Sequence, residues 1–314
     1  MLAVITVVCV ALALWLFPKA QPTIALEQTL TRASAIDSAR AFATTHALPI
    51  ADTRVAVRFS QDGESQTYIE LEAGGKAAVN AEVNRGDVAL FTWTVRFFRR
   101  GDPREVRVTL APNGRVLGFF NKLAQADTRP ALDSAQALAL ADSLRTAWLG
   151  LSATAWRAIA SSVETVQPSG RIDRTITWER TDRALGAAPL RLDVVVRGDV
   201  AGGARSYVKV PEPFLRRYAE RRADNDLYAL IASLFVPVFA LFGVAALIGA
   251  RKRGLVRWRP ALVGGGVLGV ALALAQLNDI PGSYFQYDTA LAPGTFLAQP
   301  VSYTHLTLPT NREV

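Results

Sequence analysis

Three stretches without a charged side chain constrain this chain most: residues 2–17, 227–250 and 261–278. A helix that crosses the hydrocarbon core of a bilayer needs about 20 apolar residues, within a range of roughly 17–25. The second stretch, 24 residues, is long enough with margin. The third, 18 residues with Gln276 and Asn278 counted as uncharged, is just long enough. The first, 16 residues, suits either an anchor or the core of a signal peptide. No Lys or Arg precedes it, and a cut after Ala20 would put Pro18 three residues before the cleavage point, so it reads as an uncleaved anchor.

Charge sets the orientation. Between the second and third stretches stand Arg251, Lys252, Arg253, Arg257 and Arg259, with no acid, whereas residues 279–300 hold no Lys or Arg. Short loops rich in Lys and Arg stay cytoplasmic. These five residues therefore place loop 251–260 inside, and residues 18–226 and 279–300 outside. The net charge of +8 follows from that topology together with contact to anionic lipid. A nucleic-acid partner is excluded, because no stripe of Lys and Arg interleaved with aromatics occurs. The bilayer is the expected partner. With 50% apolar residues and 20% charged ones, the chain is no disordered segment. The single cysteine, Cys9, excludes a disulfide scaffold.

Between anchor and membrane pair, helix and strand patterns alternate. Residues 34–47 place Ala35, Ala39, Phe42 and Ala43 on one helical face, with Pro49 beyond the end. Strand-like alternation follows over 54–60, 66–71, 88–100, 104–110 and 115–119, and Asn113-Gly114 marks a hairpin. A second Ala/Leu-rich helix covers 132–148, and strands are expected over 172–180, 190–196 and 206–210. Helix then antiparallel strands, twice over at a period near 100 residues, predicts an α+β exported region of two units, 18–126 and 127–226. The break lies at 124–130.

The helix-then-strands order, with the hairpin around Asn113-Gly114, is similar to the PepSY-type extracytoplasmic module. Residues 27–275 as a whole resemble the N-terminal part of a bacterial membrane protein of the CPBP (CAAX-protease-and-bacteriocin-processing) group. The resemblance rests on residues 94–99, 177–180, 207–211, 225–227 and 256–260, in that order and spacing. It implies tandem PepSY-like units on transmembrane α-helices in the bacterial cytoplasmic membrane. It implies an envelope peptide or protein as partner, and an intramembrane endopeptidase using a divalent metal, zinc, on paired glutamates and membrane histidines.

None of that chemistry is present. The chain has no adjacent glutamates, only two histidines (His46 and His305), and no Asp, Glu, Lys, Arg or His within the second or third apolar stretch. No catalytic, metal or cofactor residue can be assigned. The chain as given is expected to be an inactive N-terminal sensor or regulatory region, with a catalytic bundle beyond residue 300. The alternative is a non-enzymatic tethered module that binds or inhibits. Residues 301–314 break the preceding pattern and resemble translated sequencing-adaptor read-through.

Several smaller signals have plain explanations. Gly265 and Gly269 make a small-residue face for helix packing, and the formal G-x-G-x-x-G around them follows no strand. Three Arg-Gly-Asp triplets, at 85–87, 100–102 and 197–199, read as turns. His46 reads as a solvated or capping residue. In the 178–180 segment Trp178 is expected inward, with a Glu179–Arg180 ion pair facing water. Tyr207, Lys209 and Pro211 suit either the border of a peptide groove or an edge strand. Pro237 is expected to bend the second apolar helix.

Overall fold

The computed structural model describes residues 2–20, 30–255, 258–292 and 294–296. Arg257, His305 and the 301–314 tail lie outside them. The chain forms two compact units, residues 1–209 with 285–314, and residues 210–284.

The first unit is built on one antiparallel sheet of eight strands, in the order β1-β2-β3-β4-β8-β7-β6-β5. These are β1 (Arg54–Gln61), β2 (Phe91–Phe98), β3 (Glu105–Leu110), β4 (Val116–Lys122), β5 (Trp156–Val166), β6 (Arg171–Leu185), β7 (Ala188–Arg197) and β8 (Val200–Val208). Each half is a helix followed by a four-stranded meander. The halves meet through their last strands, β4 against β8. The two sheets expected from the repeat are thus one continuous sheet. The junction is short, with Gly118 opposite Arg205, Phe119 opposite Ala204 and Phe120 opposite Gly203. A Cβ on Gly118 would lie 2.3 Å from the Ala204 carbonyl oxygen, and one on Gly203 would lie 2.8 Å from that of Phe119. Only glycine permits that approach.

Helix α1 is Leu2–Ala20, and α2 is Arg32–Thr45, capped by the Thr31 hydroxyl accepting from the Ser34 amide. As its spacing predicts, α2 buries Ala35, Ala39, Phe42 and Ala43. It packs on β1, β2 and β3. Helix α5 (Ser134–Ser143) opens on a capping box between Asp133 and Gln136, continues as a π-helical turn (Leu144–Trp148), and packs on β6 and β7. Both helices lie on one face of the sheet, because the Phe42, Trp148 and Phe119 rings meet there. Burial alternates strictly along β7, as one covered face demands.

Residues 66–71, read as a strand, belong to helix α3 (Gly63–Glu72). Six alternating residues cannot separate the two periods. The Asp62 carboxylate accepts from the Ser65 amide and caps a helix that buries Ser65, Gln66, Tyr68 and Ile69. Helix α4 (Gly75–Arg85) completes a helical hairpin between β1 and β2. The hairpin ties the first half to the second. Glu82 and Asp87 hold Arg183, Asp87 holds Arg180 at 2.6 Å, and the Tyr68 hydroxyl accepts from the Ala187 amide.

The second unit holds α6 (Glu212–Lys252) and α7 (Trp258–Ser283), both long and apolar enough to cross a membrane. Both run past the expected bounds of 227–250 and 261–278, so Arg251, Lys252, Trp258, Arg259 and Pro260 of the expected loop 251–260 are helical. Helix α6 continues through Pro237 without a break. Among the described large apolar side chains of these helices, most are exposed. Exposure of that kind over two long helices fits an apolar solvent.

Candidate functional site

The sheet face opposite α2 and α5 carries a different set of side chains. Antiparallel register places residues in rows across the strands, about 4.8 Å apart per strand. One row runs Thr94, Thr109, Gly118, Arg205, Asp193, Thr177. The next runs Arg96, Arg107, Phe120, Gly203, Val195, Thr175. The glycines of the β4–β8 junction interrupt these rows, leaving bare backbone between Thr109 and Arg205 and between Phe120 and Val195. Beyond Gly118 and Arg205 the two strands are no longer paired. The result is a groove of about 740 Å³, lined by Thr92, Thr94, Arg107, Thr109, Phe120, Thr175, Asp193, Arg205, Tyr207 and Phe285, among others. That volume is in the range of small-molecule and short-segment sites, about 300–1,000 Å³.

Glu105 organises one flank. Register sets Arg96 opposite Arg107, two like charges on neighbouring strands. Glu105 resolves the repulsion by accepting from Arg96 Nε at 2.6 Å while pairing with Arg107 at 2.5 Å. Arg96 is buried and also donates through Nη1 to the carbonyls of Phe285 (3.0 Å) and Tyr287 (2.8 Å). The segment following α7 is thereby strapped to the sheet. Tyr287 is 1% exposed and packs near Phe98 and Phe296, and the Gly101 amide donates to the Thr289 carbonyl. Phe285 reaches the groove, where the Arg107 guanidinium lies 5.8 Å from its ring and 5.7 Å from that of Phe120.

The other flank holds Arg205 and Tyr207, guanidinium over ring at 5.6 Å. Arg205 is exposed and forms no ion pair among the described residues. Its register neighbour Asp193 accepts instead from the Thr177 hydroxyl at 2.7 Å. Burial, then the nearby Asp193 carboxylate, raises the Tyr207 phenol above its ordinary value. It stays a neutral hydrogen-bond donor at physiological pH. Arg197, at the far end of the face, donates to the Asn121 carbonyl at 2.6 Å and lies over Phe120 at 4.8 Å. Burial lowers its pKa, yet arginine keeps its charge.

Tyr207 therefore borders a groove, but its strand β8 is central and not an edge. Trp178 is buried as expected, whereas Glu179 pairs across strands with Arg191 at 3.0 Å and not with Arg180, which lies on the Trp178 side above Trp156. The glycines of all three Arg-Gly-Asp triplets have positive φ and lie at turns or a helix end. Arg251 and Lys252 form the last turn of α6, Arg253 caps it, and Arg259 is the second residue of α7. A Cβ on Gly265 or Gly269 would meet nothing within 4 Å. Among the described residues no three His, Cys, Asp or Glu side chains gather as metal ligands.

The sequence reading missed Arg107, Arg205, Asp193 and the threonines. Each reads alone as the solvent-facing position of an alternating strand, and they converge from five strands, β2, β3, β6, β7 and β8. No protein-family model, curated protein or solved structure matches this chain.

Proposed function

We propose that this chain is a membrane-tethered, extracytoplasmic receptor module that binds a peptide or protein segment of the cell envelope in the groove. The observation that carries this reading is the strap. Residues 285–291 return to the same sheet that the chain leaves at residue 209, held by Arg96 and by the Gly101 amide. Two apolar helices lie between those points. Helices that cross twice bring both ends back to one side, which agrees with the five cations assigned to the connecting loop. The groove supplies the binding surface, with threonine hydroxyls, a backbone floor and an aromatic flank that suit an extended backbone better than they suit acid–base chemistry. If a peptidase bundle is attached, as the resemblance implies, the module is the regulatory region of that enzyme and the groove has the same role.

Labelling with a membrane-impermeant maleimide tests the arrangement. In a Cys9→Ser background, Ser161→Cys on the exposed strand β5 should react in intact spheroplasts. Gly254→Cys should react only after permeabilisation. Reaction of both from outside overturns the membrane crossing, and the reverse pattern overturns the orientation.

A further inference from the structure

Resting on the receptor reading, we infer that the groove recognises an acidic segment, seating one carboxylate on Arg205 and a neighbouring apolar side chain against Phe120 and Phe285. Charge complementarity selects this occupant. The two acids in the groove lining are engaged: Asp62 caps α3 through the Ser65 amide and hydroxyl, and Asp193 accepts from Thr177. Of the two cations, Arg107 is committed to Glu105, while Arg205 makes no ion pair among the described residues: the face of Tyr207 lies behind it, and its register neighbour Asp193 is hydrogen-bonded to Thr177. A planar guanidinium backed by an aromatic ring and open to solvent is preorganised for a carboxylate, which it grips through parallel N–H donors.

The surroundings specify the rest of the ligand. The Gly118 floor beside Arg205 has no side chain to hold a ligand away from the sheet. It therefore admits the backbone of an extended segment, with the Thr94 and Thr109 hydroxyls as partners for its amides. Phe120 and Phe285, bridged by the Arg107 guanidinium, form an apolar wall within the same groove. A side chain adjacent to the acidic one reaches that wall.

The test uses the full chain in neutral-detergent micelles and calorimetric titration. The probe is an acetylated, amidated pentapeptide with a central aspartate flanked by valines and threonines, beside its asparagine and lysine counterparts. The aspartate peptide should bind, and the asparagine peptide should bind at least tenfold more weakly. Arg205→Gln should erase that difference, while Arg40→Gln, a change on α2 across the sheet from the groove, should preserve it. Equal binding of the aspartate and asparagine peptides by the unaltered chain overturns the acidic anchor and leaves the receptor reading standing. Failure of every peptide, with binding of phosphatidylglycerol vesicles that Arg205→Gln abolishes, overturns the peptide in favour of a lipid headgroup. Failure of peptides and vesicles alike overturns both readings.

Discussion

His46 ends α2 with its ring stacked on Trp148 at 4.2 Å and edge-on to Phe42 at 4.6 Å. Of the two roles expected, solvated or capping, it takes the capping one, its backbone amide donating to the Phe42 carbonyl, and an aromatic cluster flanks its ring. Burial disfavours the imidazolium and lowers its pKa. A folded-state pKa below the unfolded value, about 6.5, contributes stability that is full above that value and lost as pH falls through the folded one. The thermal midpoint of the α+β unit, followed by near-ultraviolet dichroism of the full chain, should fall from pH 7 to pH 5. His46→Phe should flatten that slope. The other decisive residue is Glu105, 6% exposed and shared by two arginines. Removing the charge from one side of a buried pair costs about 3–5 kcal/mol, because the partner stays buried and uncompensated. Glu105→Gln should speed amide hydrogen exchange over residues 285–291 while leaving β6 and β7 protected. Unchanged exchange there would show that Arg96 holds the strap without its carboxylate.

At the scale of elements, capping chemistry and period account for what was readable. Helix α5 begins where Asp133 accepts from the Gln136 amide at 2.8 Å and the Gln136 side chain accepts from the Asp133 amide at 3.1 Å. Asp133→Ala removes half of that box and should cost about 1 kcal/mol, read as a lowered urea midpoint. Phe91, Trp93, Val95 and Phe97 share a face of β2 as their alternation requires, and the Asn113-Gly114 loop joins β3 to β4. Strand β5 was missed because it is an edge strand, exposed along nearly all its length, so burial imposed no alternation on its residues. Helix α4 was missed for a related reason, having short turns of small and polar residues between two left-handed glycines, Gly74 and Gly86. Helix α6 outruns its apolar stretch because Glu212–Asp226 is rich in charged residues that favour helix without favouring lipid.

For the whole molecule, the β4–β8 junction makes one sheet from two meanders and creates the groove at the same place. Gly118→Val should push β8 away, because a Cβ already meets a backbone oxygen at 2.3 Å. The expected outcome is a shift from one unfolding transition to two for the α+β unit, with proteolytic cleavage in the 124–130 linker. A single, undiminished transition would show that the helical hairpin and its arginine network alone hold the halves together. The two long apolar helices, the cations at their junction, the helix-then-meander repeat and the glycine turns were determined by the sequence itself, because apolar length, charge and local period act within a few turns of chain. The joining of the halves, the strap on Arg96 and the convergence of Arg205, Tyr207, Arg107 and Phe285 on one groove were decided only by the tertiary structure. Those residues come from β3, β8 and the chain beyond α7, and each looks like ordinary surface until register and a bare glycine floor set them side by side.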